Sequence, residues 1–214
     1  MNPKRASLIA TSMAVVWTLL VRLGLPHFWI WSPLYCAVWL AITFRAIEAL
    51  NKHLLKPSRG GIGWGLGMGV FLYLGSRIFL GAFCGGFSRI LCRPLGEIYT
   101  RFETRNLAAA LALTLVIAPA EELFWRGWVQ SRVLKWMVGK RPGSHSARAI
   151  SVVITALLSS SLLAATGDFL LALAAFPTSL VWGGLTAYRK SVVPAIVSHS
   201  LWDLLIAVLL PPIS

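Results

Sequence analysis

Acidic residues are scarce in this chain: seven Asp and Glu stand against 20 Lys and Arg in 214 residues. Charge of either sign is scarce too, at 13% of positions, where a soluble domain carries about a quarter. That deficit goes with 57% hydrophobic residues and a mean hydropathy of +0.73. Together they exclude an ordinary water-soluble domain and indicate a single membrane domain over residues 1–214. Cysteine is limited to Cys36, Cys84 and Cys92, with no C-x-x-C and no Cys/His cluster, which argues against a structural zinc site. Cys84 and Cys92 would pair only in an oxidising compartment, and they are read as two unrelated thiols of apolar runs. Internal repeats and low-complexity segments are also missing. A net charge of +13 would suggest nucleic acid in a soluble protein. Here the basic residues gather between apolar runs, which indicates anionic headgroups instead. Membrane lipids are therefore the expected partners, and nucleic acid is not.

What is present is a series of apolar runs of about 20 residues, the length that crosses a bilayer. Seven are read, at 7–25, 28–46, 62–83, 107–125, 149–166, 169–188 and 192–210. The expected fold is all-α, a polytopic membrane helix bundle of about seven transmembrane helices. The first run follows Lys4 and Arg5 like a signal peptide. Its apolar stretch is long and no small-x-small cleavage pattern follows, so it is kept as a span. Segment 85–105 mixes Arg89, Arg93, Arg101 and Arg105 with Glu97, Glu103 and apolar residues. It reads as an interfacial amphipathic piece broken at Pro94, or equally as a solvated loop. With the N-terminus inside, Lys4 and Arg5, the 45–59 and 126–148 loops and Arg189-Lys190 share the cytoplasmic side. These hold 14 of the 20 basic residues, so the positive-inside rule supports that orientation. The alternating glycines of "GGIGWGLGMG" open an apolar run with no strand before it. They read as a close-packing helix face, not a nucleotide loop.

Two of the seven acids stand side by side in "LVIAPAEELFWRGWVQ", residues 115–130. An acid at the bilayer centre costs roughly 2.5–3.5 kcal/mol on insertion scales, so an adjacent pair there marks a functional site by default. Glu122 and Arg126 are one helical turn apart and can pair. Glu121 is turned about 100° from Glu122, so one acid can be held in a salt bridge while the other faces a cavity. A charged helix end at the interface is the plainer alternative. A second cluster, His199 and Asp203, is also spaced by one turn, in the last span. By the orientation above, both clusters lie at similar membrane depth. A His–Asp pair can simply glue helices. A carboxylate and an imidazole meeting in an apolar cavity can instead activate water.

The sequence resembles the CPBP intramembrane proteases, which include CAAX-prenyl endopeptidases and bacteriocin-processing or immunity proteins. Their Glu-Glu-x-x-x-Arg motif is matched by Glu121, Glu122 and Arg126, followed by Gly127 and Trp128. Their His-x-x-x-Asn/Asp motif is matched by His199 and Asp203, after the lead-in "VVPAIVSH". The likeness covers about residues 107–210, a family-like catalytic core. It implies a glutamic-type intramembrane endopeptidase of a prokaryotic cytoplasmic membrane, acting on a membrane-associated protein or peptide such as a C-terminal sorting or anchoring segment. Glu121 is then the general base on water, Glu122 and Arg126 hold the helix, and His199 and Asp203 stabilise the oxyanion or complete the water site. The family's middle motif, Phe-x-x-x-His, has no counterpart. The span "AISVVITALLSSSLLAATGDF" contains no histidine, and its nearest shape is Leu162 to Thr166. Thr155, Ser159, Ser160, Ser161 and Thr166 are the other polar candidates, and Asp168 is expected at the outer end. A contact from His199 to the water on Glu121, with Asp203 orienting the other ring nitrogen, is one way to replace the missing group.

Two other readings remain open at this level. One is a catalytically inactive relative acting as an immunity or membrane scaffold protein, which the missing histidine favours. The other is a small transporter with an acid–His relay, which the lack of repeated halves disfavours. No cofactor is expected. Glu, His and Asp are zinc-ligand types, but one histidine and no H-E-x-x-H favour a metal-free mechanism.

Overall fold

The computed structural model describes residues 3–23, 28–57, 59–82, 84, 92, 104, 106–140 and 145–209. Among these, all regular structure is helical. The helices are α1 (Pro3–Arg22), α2 (Phe28–Asn51), α3 (Gly61–Ala82), α4 (107–140), α5 (His145–Ala164), α6 (Phe169–Arg189) and α7 (Val193–Leu209). By length and composition five of them, α2 to α6, can cross a membrane, and α1 and α7 contribute shorter apolar stretches. The protein is a polytopic membrane helix bundle. Its outward side chains are apolar, as lipid contact requires: Leu34, Phe71, Ile78 and Leu115 are all largely exposed. Buried polar residues such as Glu122, Thr155 and Ser179 turn inward.

Two readings of the sequence are corrected here. The fourth span does not stop at 125 but runs to Lys140, because no breaker follows before Pro142-Gly143. Arg126 is therefore a buried helix residue, 3% exposed, and not part of a cytoplasmic loop. Cys84 and Cys92, read as unrelated thiols, are joined in a disulfide. Their apolar neighbours did not indicate that the chain returns on itself within eight residues. Apart from Cys92 and Thr104, the interfacial segment 85–105 lies outside the described residues.

The two ends of the bundle are fixed by contacts between connections. At one end the amide of Val192 donates to Leu54 O (2.9 Å), and Ser191 Oγ donates to Lys56 O (2.7 Å). At the other end the amide of Thr104 donates to Ala207 O (3.0 Å), just before α4 begins. Asn106 caps α4 there by accepting from the amides of Ala108 and Ala109.

Close approach of α3 and α7 sets the position of the last motif. A Cβ on Gly65 would lie 2.7 Å from Pro194 O, and one on Gly69 would lie 2.9 Å from Ser198 O. Only glycine fits at such contacts. The glycine run thus serves as the packing face expected of it. Trp39 and Phe124 pack with ring centroids 4.7 Å apart, and Phe124 stacks on Trp128. This aromatic core ties α2 to α4 beside the acids.

Candidate active site

The paired acids sit in a short α-helical stretch between two π-helical turns of α4, Leu113–Ile117 and Leu123–Val129. Pro119 explains the first. It offers no amide hydrogen, and its ring crowds the carbonyl four residues back. The backbone opens just before it, where the Ala118 amide donates to Leu113 O, five residues away. The Gln130 amide likewise reaches Trp125 O. Each widened turn adds one residue and so rotates the side chains that follow it.

The structure brings the two sequence clusters together. Glu122 is fully buried, and its Oε1 takes both His199 Nδ1 at 2.9 Å and Arg126 Nη1 at 3.3 Å. His199 Nε2 faces Asp203 Oδ2 at 3.6 Å. The imidazole therefore lies between two carboxylates from different helices. Its face is covered by Trp182 of α6, with ring centroids 3.8 Å apart and planes within 17°. Trp182 is itself anchored, since its Nε1 donates to Ser198 Oγ at 3.2 Å. The Arg126 guanidinium lies over the Trp182 ring at 5.4 Å and donates to Ser179 O at 3.4 Å. Arg126 thus joins α4 to α6 as well as to Glu122.

Glu121 stands apart from this clamp. It lines an apolar cavity of about 770 Å³, whereas Glu122 does not. Arg126, His199 and Asp203 also reach the cavity wall. The carboxylate that His199 Nδ1 meets is that of Glu122, and the stacking on Trp182 holds the ring there. Of the candidate hydroxyls, Ser159 in α5 and Thr166 in the turn after it line the cavity. Thr155 and Ser160 are buried without reaching it, and Ser161 is exposed. Ser159 Oγ shares a hydrogen bond of 3.0 Å with Ser179 Oγ. Asp168 precedes α6 at the far end of the bundle. Among the described residues, no three His, Cys, Asp or Glu side chains converge as metal ligands would.

Trp182 and Ser179 were not singled out in the sequence. Both lie in the apolar run "FPTSLVWGGL" and differ little from core residues there. The one local sign is a tryptophan beside Gly183-Gly184 in mid-span.

A buried acid–imidazole clamp beside an apolar cavity, inside a helical membrane bundle, defines the class: a polytopic membrane protein with an intramembrane polar site. Residues 103–205 match the family model described as Type II CAAX prenyl endopeptidase Rce1-like. Over this stretch the chain is similar to the CAAX-type membrane proteases, in keeping with the CPBP motifs it carries there. No curated protein and no solved structure matches the chain.

Proposed function

We propose that the chain is an active glutamic-type endopeptidase that cleaves a peptide segment within the membrane, with its N-terminus on the cytoplasmic side of a prokaryotic inner membrane. One observation carries the reading. The two adjacent acids differ in placement: Glu122 is enclosed by His199 and Arg126, and Glu121 faces the cavity.

In the proposed reaction Glu121 takes a proton from water as its oxygen adds to the scissile carbonyl. The tetrahedral intermediate carries a negative charge on the former carbonyl oxygen. With Nδ1–H given to Glu122 and Nε2–H beside Asp203, the His199 imidazolium offsets that charge electrostatically. Preorganised charges of this kind work best where water is excluded. The C–N bond then breaks, and Glu121 returns the proton to the leaving amine. The hydroxyl pair Ser159–Ser179 supplies the polar contact that a histidine gives in the family's middle motif. No metal is required in this scheme. An apolar cavity suits a membrane-embedded or membrane-anchored peptide, such as a terminal anchoring segment.

The test is to compare the terminal peptides of membrane proteins, by mass spectrometry, in cells expressing the parent or Glu121→Gln. New termini that depend on Glu121 support the reading. Identical termini in both would leave the chain as a binding member of the family, the reading favoured by the absent histidine.

A further inference from the structure

We propose that the active-site cavity opens on the extracytoplasmic side, so that its substrates are apolar segments presented from the outer leaflet and not cytosolic tails. This inference rests on the peptidase reading for the word substrate, but its geometry stands without it.

The cavity wall is asymmetric along the membrane normal. Its lining runs from Glu121, Trp182 and His199, well inside their helices, to Val21, Phe28, Phe79, Thr166 and Leu170 beside helix ends, which we take as the rim. Every rim residue lies where α1, α3 and α5 end or where α2 and α6 begin. The rim thus belongs to the end of the bundle at which Thr104 meets Ala207. Among the described residues, none that lines the cavity comes from the connections at the opposite end, residues 52–60 and 189–193.

Two independent features assign sides to these ends. The end away from the rim carries Lys52, Lys56, Arg59, Arg189 and Lys190, all close to span termini. Clustered Lys and Arg remain on the cytoplasmic side. The rim end carries the Cys84–Cys92 disulfide, directly after α3. Disulfides persist in oxidising compartments and are rare in the cytosol. Charge and redox chemistry therefore agree, although neither depends on the other.

The dimensions add a constraint on the substrate. Along α6, Leu170 at the rim and Trp182 at the base are twelve residues apart, or about 18 Å at the helical rise. An extended peptide covers that distance in about five to six residues. The scissile bond then lies about that far along the chain from its point of entry. The rim residues are apolar apart from Thr166, so the entering segment is apolar too.

Thiol accessibility tests the sidedness. Cys36 is buried and the other two cysteines are paired, so one introduced thiol reports alone. Thr166→Cys and Leu170→Cys at the rim, and Lys52→Cys at the opposite end, are expressed in a bacterial host. Intact spheroplasts are treated with a charged, membrane-impermeant maleimide. Both rim thiols should be labelled in intact spheroplasts, and Lys52→Cys only after the membrane is permeabilised. The reverse pattern overturns the proposal, as does labelling of the rim thiols only after permeabilisation. Labelling requires no turnover. If Glu121→Gln leaves cellular termini unchanged while the rim thiols react from outside, the peptidase reading fails and the sidedness stands.

Discussion

Replacing Arg126 with alanine is expected to destabilise the protein severely, and the structure gives the size of the effect. Glu122 is 0% exposed and places both of its polar contacts on Oε1, while Oε2 finds no hydrogen-bond partner among the described residues. Without Arg126 the carboxylate keeps only His199, in surroundings that cannot solvate it. Breaking a buried ion pair from one side costs about 3–5 kcal/mol. The guanidinium also lies over Trp182, a cation–π contact worth about 0.5–2 kcal/mol. A loss of at least about 3 kcal/mol is therefore expected. The assay is denaturant unfolding in mild detergent, run as a cycle with Glu122→Gln and the double variant. Once Glu122 is neutral, removing Arg126 should cost less, so the two effects should fall short of additivity by about 1–3 kcal/mol. An Arg126→Ala protein within about 0.5 kcal/mol of the parent, a change typical of uninvolved surface sites, would refute the clamp.

Gly69→Leu should separate α3 from α7, because even a Cβ at that position would lie 2.9 Å from Ser198 O. A destabilisation of about 1–3 kcal/mol, together with lost activity, is expected from unfolding and cleavage assays, and Gly67→Leu, which meets nothing within 4 Å, is the neutral control. Exhaustive chelation should leave cleavage by the purified protein unchanged, and loss of activity restored by added zinc would make His199 and Asp203 ligands. Ser159→His should disturb the Ser159–Ser179 contact and slow an active parent. If the parent is inert and that substitution switches cleavage on, the chain is a binding relative that has lost its chemistry.

Long apolar runs made the helices legible in the sequence. Phe28, Leu107 and Phe169 open both the runs read from hydropathy and the helices of the structure. Hydropathy was less informative at the end of α4. Residues 126–140 are amphipathic and still helical, so the end of an apolar run was not the end of a helix. One-turn spacing correctly associated Glu122 with Arg126 and His199 with Asp203, because those pairings are local. The partner of His199 across the bundle was not legible. Which of two adjacent acids meets it depends on helix rotation, which the π-helical turns alter without a marker beyond Pro119. Trp182 was missed for a related reason. An aromatic residue covering an imidazole looks, in sequence, like any other aromatic residue in a membrane span.

The division of labour between the adjacent acids is tested most directly by measuring kcat/KM and thermal stability together for Glu121→Gln. The peptide to use is one whose terminus appears with the parent enzyme. A positioned general base contributes about 10²–10⁴-fold, and Glu121 lines the cavity outside the clamp. The account predicts a loss of that size with an unfolding temperature matching the parent's. Undiminished cleavage by the purified Glu121→Gln protein would contradict it.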